Sequence, residues 1–314
     1  MIEVRDLCKD YGNRNAISDI SFSVKKGEVV GLLGPNGAGK TTTMKIVTGY
    51  MAPTSGQVKV AGLDVFEDPV AVKRKIGYLP ETPPLYPDMT VEHYLRFVAN
   101  LKGVEKKRIP EMVDRALQKT DLGSVRKRII QNLSKGYRQR VGVSQALVSD
   151  PEILILDEPT VGLDPRQVAE IRTLIKELSG QHTIVLSTHI LPEVQATCER
   201  IIIINRGRIV AEDTLDGLSR RMNGSGRVAL KVRAISVELK KALGAVLGVA
   251  KVQEGASPGL LQIDTDGRAE ISEQLVAKVM ASGAGLIEIK TENFNLEDVF
   301  LQLTNSEEQQ EVTP

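Results

Sequence analysis

A glycine-rich segment near the N-terminus ends in a lysine and two threonines. Residues 34–42 read GPNGAGKTT and match the phosphate-binding pattern GxxxxGK[ST]. The glycines let backbone N–H groups turn towards phosphate oxygens, and the N-terminus of a following helix favours negative charge. We predict that Lys40 contacts the β- and γ-phosphates of a bound nucleotide and that the Thr41 hydroxyl reaches Mg²⁺. The predicted binding loop comprises Gly34, Pro35, Asn36, Gly37, Ala38, Gly39, Lys40, Thr41 and Thr42.

Two adjacent carboxylates follow an apolar run in the middle of the chain. The segment ILIL at 153–156 leads directly into Asp157 and Glu158. Ligands of open α/β sheets collect at the carboxyl ends of the strands, so a strand here would present both carboxylates to the phosphate-binding loop. We predict that Asp157 holds Mg²⁺, through water, and that Glu158 polarises the water that attacks the γ-phosphate. Without the phosphate-binding loop, the same pair would indicate only a solvated start of a helix.

The elements that carry these segments follow an α/β pattern. Short apolar runs at 28–33, 153–156, 183–187 and 201–204 predict buried strands of a largely parallel sheet. The phosphate-binding loop lies between the first of these runs and a helix, as the motif requires. Between 85 and 150 the apolar residues follow helical spacing instead, which predicts an inserted helical subdomain.

Three further motifs follow in an order that one family shows. NLSKGYRQR at 132–140 resembles the signature LSGGQ of the ATPase subunits of ATP-binding cassette (ABC) transporters. VGLDP at 161–165 resembles their D-loop, and His189 in STHIL resembles their switch histidine, which contacts the γ-phosphate. The resemblance covers roughly residues 1–212 and implies an α/β P-loop NTPase cassette with N-terminal antiparallel strands. The residues that it adds to nucleotide binding are Ser134, Gly136 and Asp164.

One aromatic and one acidic residue complete the predicted site. Tyr11 lies where the family has its adenine-stacking aromatic residue, and Glu81 in GYLPET lies where the family has its Q-loop glutamine. A carboxylate at this position can bind Mg²⁺ more strongly than an amide, but it cannot donate a hydrogen bond to the attacking water. In the signature, Lys135 and Tyr137 replace glycine and glutamine. These departures resemble a subgroup of bacterial exporter ATPases that includes the gliding-motility and multidrug type.

The chain changes composition after the predicted cassette. Residues 213–227 lose hydrophobicity and gain Gly, Ser and Asn, which predicts an ATPase domain over 1–222 and a separate accessory domain over 227–304. The βαββαβ pattern of the accessory domain fits a small ferredoxin-like α+β fold. A short amphipathic helix and a disordered tail over 305–314 are predicted after it. The apolar residues of that helix are Leu296, Val299, Phe300 and Leu303.

Composition limits the classes of partner. Lys and Arg number 41 against 40 Asp and Glu, which gives a net charge of +1 and predicts no nucleic-acid partner. No run approaches the roughly 18 to 20 apolar residues that cross a bilayer, so we do not expect the chain to span a membrane. Cys8 and Cys198 stand alone, which excludes a disulfide framework and a CxxC metal site.

The family resemblance also implies partners. It implies a head-to-tail dimer of the ATPase around two molecules of ATP with Mg²⁺, and the complete set of motifs favours a homodimer over a heterodimer. An integral membrane permease on a separate chain would dock between Glu81 and the helical subdomain, with the ATPase cytoplasmic and peripheral on the cytoplasmic face of the membrane. The sequence does not identify the transported substrate.

Two alternatives to a transporter subunit have their own requirements. A soluble cassette ATPase of DNA repair would carry a long coiled coil, and a ribosomal one would carry two cassettes. A regulatory module without turnover would carry a substitution at Glu158 or His189. The sequence contains none of these features, so we predict a transport-coupled ATPase.

Overall fold

The computed structural model describes residues 1–12, 14–215, 217, 226–255, 257–266, 268 and 270–292. The chain divides into two compact units, Met1–Glu212 and the residues from Asp213 onward. Among the helices of the described ranges, none combines the length and the apolar character that crossing a membrane requires.

The first unit alternates strands and helices along the chain. From the third strand onward most strands are followed by helices, which is how parallel strands are connected. The elements in chain order are β1 (Ile2–Asp10), β2 (Asn15–Val24), β3 (Val29–Leu33), α1 (Lys40–Val47), β4 (Ser55–Val60), β5 (Leu63–Asp64), α2 (Pro69–Lys75), β6 (Ile76–Leu79), α3 (Val91–Leu101), α4 (Ile109–Lys119), α5 (Lys135–Leu147), β7 (Ile153–Asp157), α6 (Pro165–Leu178), β8 (Thr183–Thr188), α7 (Leu191–Thr197), β9 (Arg200–Asn205) and β10 (Arg208–Thr214).

A six-stranded sheet in the order β10-β9-β3-β8-β7-β6 forms the centre of this unit. The five strands from β9 to β6 pair in parallel, and every residue of β3, β7 and β8 is buried. Strands that are buried on both faces need continuous apolar runs, and the four predicted runs are confirmed as β3, β7, β8 and β9. Because β3, β6, β7 and β8 share one direction, the segments that follow them meet at one edge of the sheet.

A second sheet pairs the N-terminal strands in the antiparallel order β2-β1-β4-β5. One apolar core joins this sheet to α1 and to the parallel sheet, and it includes Val4, Ile46 and Ile155. The antiparallel N-terminal strands that the family resemblance implied are therefore present. Because this sheet packs on α1, the end of β1 lies close to the phosphate-binding loop. Tyr11, which follows β1, and Gly37 of the loop line one cavity.

Helices α3, α4 and α5 share a separate apolar core that includes Leu95, Val113 and Val141. The predicted change from strands to helices over 85–150 is observed. Helix α5 also contacts β6, which joins these helices to the parallel sheet. Leu101, the last residue of α3, is 73% exposed and therefore does not belong to the buried face of this helix.

The second unit has a four-stranded sheet in the order β12-β13-β11-β14, and each of its pairings is antiparallel. Helix residues such as Leu239 and Leu275 share a core with Leu230 of the sheet. The predicted helix at 296–303 and the tail at 305–314 lie outside the described residues. The described elements are β11 (Gly226–Val232), α8 (Val237–Gly244), β12 (Val249–Glu254), β13 (Leu260–Thr265), α9 (Glu270–Ala281) and β14 (Leu286–Glu292).

Candidate active site

The phosphate-binding loop connects the end of β3 to the start of α1. Gly39 has a φ of 107°, in the left-handed region, and a Cβ there would lie 2.8 Å from the carbonyl oxygen of Ala16. A Cβ at Gly34 would lie 2.2 Å from a backbone carbonyl oxygen of β9. Both positions therefore require glycine. The buried Lys40 Nζ donates to the carbonyl oxygens of Gly34 at 2.8 Å and Pro35 at 3.1 Å, which holds the ammonium group at the loop.

A cavity of about 380 Å³ lies beside this loop, a volume typical of small-molecule sites. Segments that are far apart in sequence form its wall: the chain after β1, the loop with the start of α1, and the segments after β6, β7 and β8. Gly34, Pro35 and Ala38 belong to the loop but not to the cavity wall, and Ala38 is buried in the core. The predicted site residues that line the cavity are Tyr11, Asn36, Gly37, Gly39, Lys40, Thr41, Thr42, Glu81, Glu158 and His189.

Glu158 directly follows β7 and has an unusual backbone conformation. Its φ is 48°, in the left-handed region that is strained for a residue with a side chain. Its backbone N–H donates to the carbonyl oxygen of Ser187 at 3.0 Å. The buried side chain places Oε1 3.4 Å from Lys40 Nζ and Oε2 2.9 Å from His189 Nδ1. The turn thus aims the carboxylate into the cavity, between a cation and an imidazole.

Asp157 is fully buried at the end of β7. Its Oδ1 accepts hydrogen bonds from the hydroxyls of Ser187 at 2.6 Å and Thr41 at 3.3 Å, whereas Oδ2 has no partner among the described residues. Burial raises the pKa of Asp157 above its usual value, and the two hydroxyl bonds oppose that rise. Asp157, Thr41 and Glu81 line a second cavity of about 450 Å³. Hard oxygen donors beside an unpaired carboxylate oxygen fit Mg²⁺.

Tyr11 lies at the wall of the first cavity with 52% of its surface exposed. Its hydroxyl donates to Met51 Sδ at 2.9 Å, and Lys9 Nζ lies 5.4 Å from the ring centroid. These contacts hold the ring at the cavity while much of it stays open to solvent. Such a ring can stack on a flat base.

The cavity wall also contains Arg14, Ala16 and Val161, to which the sequence assigned no individual role, although Val161 is the first residue of the VGLDP segment. Arg14 Nη2 donates to the carbonyl oxygen of Gly37 at 3.4 Å, so its guanidinium reaches the phosphate-binding loop. The only signal in the sequence is a basic residue three positions after Tyr11. Nothing in that spacing distinguishes it from an ordinary surface arginine.

The signature residues Ser134 and Gly136 and the D-loop residue Asp164 do not line this cavity. Ser134 caps α5 by accepting a hydrogen bond from the Tyr137 N–H at 3.4 Å, and Asp164 caps α6 by accepting one from the Gln167 N–H at 2.9 Å. Gly136 faces Gln167 so closely that a Cβ would lie 2.5 Å from that side chain. A capped helix still presents N–H groups of its first turn to an anion. The predicted nucleotide contacts of Ser134, Gly136 and Asp164 therefore do not belong to the cavity of the same protomer.

Comparison with known proteins places the chain in a family. A family profile described as ABC transporter matches residues 17–161. The linearmycin resistance ATP-binding protein LnrL of Bacillus subtilis (strain 168) is 32% identical over 305 residues, which cover 97% of this chain and 98% of LnrL. The chain belongs to the ABC transporter ATP-binding proteins. The bacitracin transport ATP-binding protein BcrA of Bacillus licheniformis is 37% identical, and the match covers 70% of this ABC protein and 72% of BcrA.

Solved structures of ABC cassettes share the fold of the first unit. The dimeric post-hydrolysis state of the cassette MJ0796, bound to ADP and Pi, matches with a TM-score of 0.63 at 26% identity. The match covers 68% of this chain and 99% of that chain. The predicted cassette fold and ATPase activity are confirmed, and the relatives favour a transporter subunit over the soluble alternative.

Proposed function

We propose that this ABC ATPase binds ATP with Mg²⁺ in the 380 Å³ cavity and uses hydrolysis to power export through a separate membrane permease. The observation that carries the proposal is the convergence of Lys40, Glu158 and His189 in one contact network. A cation for the phosphates, a carboxylate for the attacking water and an imidazole for the γ-phosphate are thus preorganised. The names of LnrL, a resistance protein, and BcrA, a transport protein, support export as the process that is powered.

Each residue of this network has a distinct role in the proposal. Lys40 binds the β- and γ-phosphates, and Glu158 accepts the proton of the attacking water. The water oxygen bonds to the γ-phosphorus while the bond from that phosphorus to the bridging oxygen of the β-phosphate breaks, so that ADP and phosphate are released. His189 holds the γ-phosphate and, through Nδ1, orients the Glu158 carboxylate. Thr41, Asp157 and Glu81 would hold Mg²⁺, which neutralises phosphate charge when it is bound. The unpaired Oδ2 of Asp157 supports this assignment.

Tyr11 provides a test of adenine stacking. Stacking contributes about 1–3 kcal/mol per base, and the half-exposed position of this ring weakens it. Tyr11→Ala should therefore raise the apparent KM for ATP several-fold, whereas Tyr11→Phe should leave it near the wild-type value. GTP should also serve as a substrate, because stacking requires only a π-face. Steady-state hydrolysis measures all three, and an unchanged KM in Tyr11→Ala would return Tyr11 to a packing role.

A head-to-tail homodimer accounts for the signature residues. Ser134, Gly136 and Asp164 lie on the first unit but outside its cavity. Ser134 and Asp164 are exposed there, so they are available to the ATP of a second copy, whereas Gly136 is buried beside Gln167. The complete set of Lys40, Glu158 and His189 in one chain supports two equivalent sites. The similarity to a cassette that is described as dimeric supports the same arrangement.

An apolar groove beside Glu81 supports docking of the permease. This docking groove has a volume of about 370 Å³ and is lined by Tyr50, Tyr78 and Leu101. Tyr50 and Leu101 are each 73% exposed, and clustered large apolar side chains in water indicate an interaction surface. Tyr50 and Tyr78 also line the cavity that contains Glu81 and Asp157, so a permease element in the groove would adjoin the Mg²⁺ site. Docking there would place the ATPase peripherally on the cytoplasmic face of the membrane.

Glu81 should couple the permease to hydrolysis. Glu81→Gln keeps the size and one oxygen acceptor, so we expect it to retain substantial activity in the assembled transporter. Glu81→Ala removes the ligand and should lose the stimulation of turnover that the permease produces. ATP hydrolysis is compared with and without the permease for both variants. Equal stimulation of Glu81→Ala and wild type would remove Glu81 from the mechanism.

The second unit is the accessory domain of the proposal. Its βαββαβ order and its antiparallel sheet order β12-β13-β11-β14 support a ferredoxin-like fold. The division of the chain after Glu212 supports two domains, which we assign to 1–222 and 227–304, and it falls ten residues before the end assigned to the first. None of the residues that line the 380 Å³ cavity belongs to it. The match to LnrL spans 305 residues and so extends well into this unit. Because this unit contributes no described residue to that cavity, we propose that it serves dimerisation, with regulation as the alternative.

Shortening the chain tests that role. A chain that ends at residue 222 should still bind ATP, since Tyr11, Lys40 and Asp157 are retained. In the Glu158→Gln background, where dimers persist, it should dimerise more weakly than the full chain. Analytical ultracentrifugation with ATP and Mg²⁺ measures both affinities. Equal dimer affinities would leave the second unit without the role assigned to it.

A further inference from the structure

Glu193 is a buried carboxylate that none of the motifs above includes. It lies in the first turn of α7 and is 2% exposed. Its Oε1 accepts a hydrogen bond from Thr160 Oγ1, and its Oε2 accepts one from Thr188 Oγ1 at 2.8 Å. A buried carboxylate is costly unless its oxygens are hydrogen-bonded, and the start of a helix favours its charge. Glu193 is therefore held at the point where the two threonines meet.

The two threonines belong to the segments that carry the proposed catalytic side chains. Thr160 follows Glu158 by two residues, and Thr188 ends β8 directly before His189. The Thr188 hydroxyl also accepts a hydrogen bond from the Ile190 N–H at 3.1 Å, which connects the residues on either side of His189. One carboxylate thus connects the chain after β7 to the chain after β8.

The segments after β7 and β8 have to keep their relative positions for the contacts in the cavity to form. The Glu158 and His189 side chains meet at 2.9 Å between Oε2 and Nδ1. Glu158 also keeps a left-handed backbone, with φ at 48°, which persists only where surrounding contacts maintain it. The hydrogen bond from the Glu158 N–H to the Ser187 carbonyl provides one such contact. Glu193 provides a second connection between the same two segments.

We propose that Glu193 is a positioning residue for ATP hydrolysis, which holds the Glu158 and His189 segments together through the hydroxyls of Thr160 and Thr188. The proposal rests on the roles proposed for Glu158 and His189. Glu193 does not line the 380 Å³ cavity, so it acts through its two partners and not on ATP. Its loss should therefore lower kcat while the affinity for ATP is preserved.

The direct test removes one hydroxyl at a time from the full-length protein. Misplacement of a catalytic group by about 1 Å can cost about 10²-fold in rate, so Thr160→Val and Thr188→Val should each lower kcat by about 10- to 100-fold. The KM for ATP should change by less than about two-fold, since the phosphate-binding loop and Tyr11 are untouched. Thr197→Val is the matched control, because this hydroxyl on α7 donates to the backbone carbonyl of Glu193 at 2.7 Å and not to its carboxylate.

Substitutions at Glu193 separate positioning from general packing. Glu193→Gln keeps one carbonyl acceptor and should retain most of kcat, whereas Glu193→Ala should lose as much as the threonine variants. In the Glu193→Ala background, Thr188→Val should have no further effect, because both changes break one connection. If Glu193→Ala does not fold, the test rests on the other variants. Glu193→Gln should keep most of kcat, and the two threonine variants should lower kcat without changing the KM for ATP.

The outcomes separate this inference from the proposed function on which it rests. Glu158→Gln is measured in the same assay. If Glu158→Gln is inactive but Thr160→Val and Thr188→Val match Thr197→Val, the role of Glu193 is refuted and the catalytic assignment stands. The role of Glu193 is also refuted if Thr188→Val lowers kcat in the Glu193→Ala background by the same factor as in the wild type. If Glu158→Gln hydrolyses ATP at a normal rate, the proposed function itself fails.

Discussion

Replacing Glu158 with Gln is expected to lower ATP turnover by about 10²- to 10⁴-fold, the usual contribution of a general base. The amide has the size of the carboxylate but cannot accept the proton of the attacking water. ATP binding should remain, because Lys40, Thr41 and Tyr11 are unchanged. The variant should consequently accumulate as an ATP-bound dimer, which multi-angle light scattering detects as a doubling of the mass.

A surface glutamate provides the control for this substitution. Glu177 lies exposed on α6, and Glu177→Gln should keep the wild-type rate and stay monomeric under the same turnover conditions. Near-normal hydrolysis by Glu158→Gln would mean that another group activates the water. In that case the convergence of Lys40, Glu158 and His189 would not explain catalysis.

Lys40→Ala should abolish ATP binding rather than turnover alone. Two unit charges about 4 Å apart attract by about 4 kcal/mol at an effective dielectric constant of about 20, which corresponds to roughly three decades of affinity. The Lys40 ammonium is buried at the loop and is held by the carbonyl oxygens of Gly34 and Pro35, so its position is set before ATP arrives. Isothermal titration calorimetry with ATP and Mg²⁺ should show no binding at concentrations that saturate the wild type.

Lys26→Ala is the matched control for the loss of a positive charge. Lys26 lies exposed in the turn that precedes β3 and does not line the 380 Å³ cavity. The Lys26→Ala variant should bind ATP as the wild type does. If Lys40→Ala binds ATP with an affinity close to that of Lys26→Ala, the lysine of the loop does not hold the phosphates.

The predictions that the sequence supported best depend on local geometry. The left-handed φ of Gly39 and the contact of Gly34 with β9 follow from the glycines that the motif contains. The buried strands β3 and β7 could be predicted because a strand covered on both faces is apolar throughout. The same edge of one parallel sheet then brings Lys40 and Glu158 together.

Contacts between distant segments that no motif marks could not be predicted. The Arg14 guanidinium reaches Gly37 through a turn whose path has no sequence signal, and Glu193 meets Thr160 and Thr188 only because α7 packs beside β8. Leu101 fits the helical spacing of α3 but is exposed. Periodicity shows which side chains share a face, whereas burial also depends on where the covering element ends. Here α3 ends at the docking groove.

Co-purification shows whether this ABC ATPase powers a separate permease. The full-length protein is isolated in detergent from membranes of its own cell, beside Leu101→Asp in the docking groove and Leu247→Asp, a similarly exposed leucine of the second unit. We expect an integral membrane protein to accompany the wild type and Leu247→Asp, to stimulate their ATP hydrolysis, and to be lost from Leu101→Asp. A wild-type protein that leaves the membrane on washing and copurifies with ribosomes or DNA, with no membrane protein bound, would contradict the proposed function.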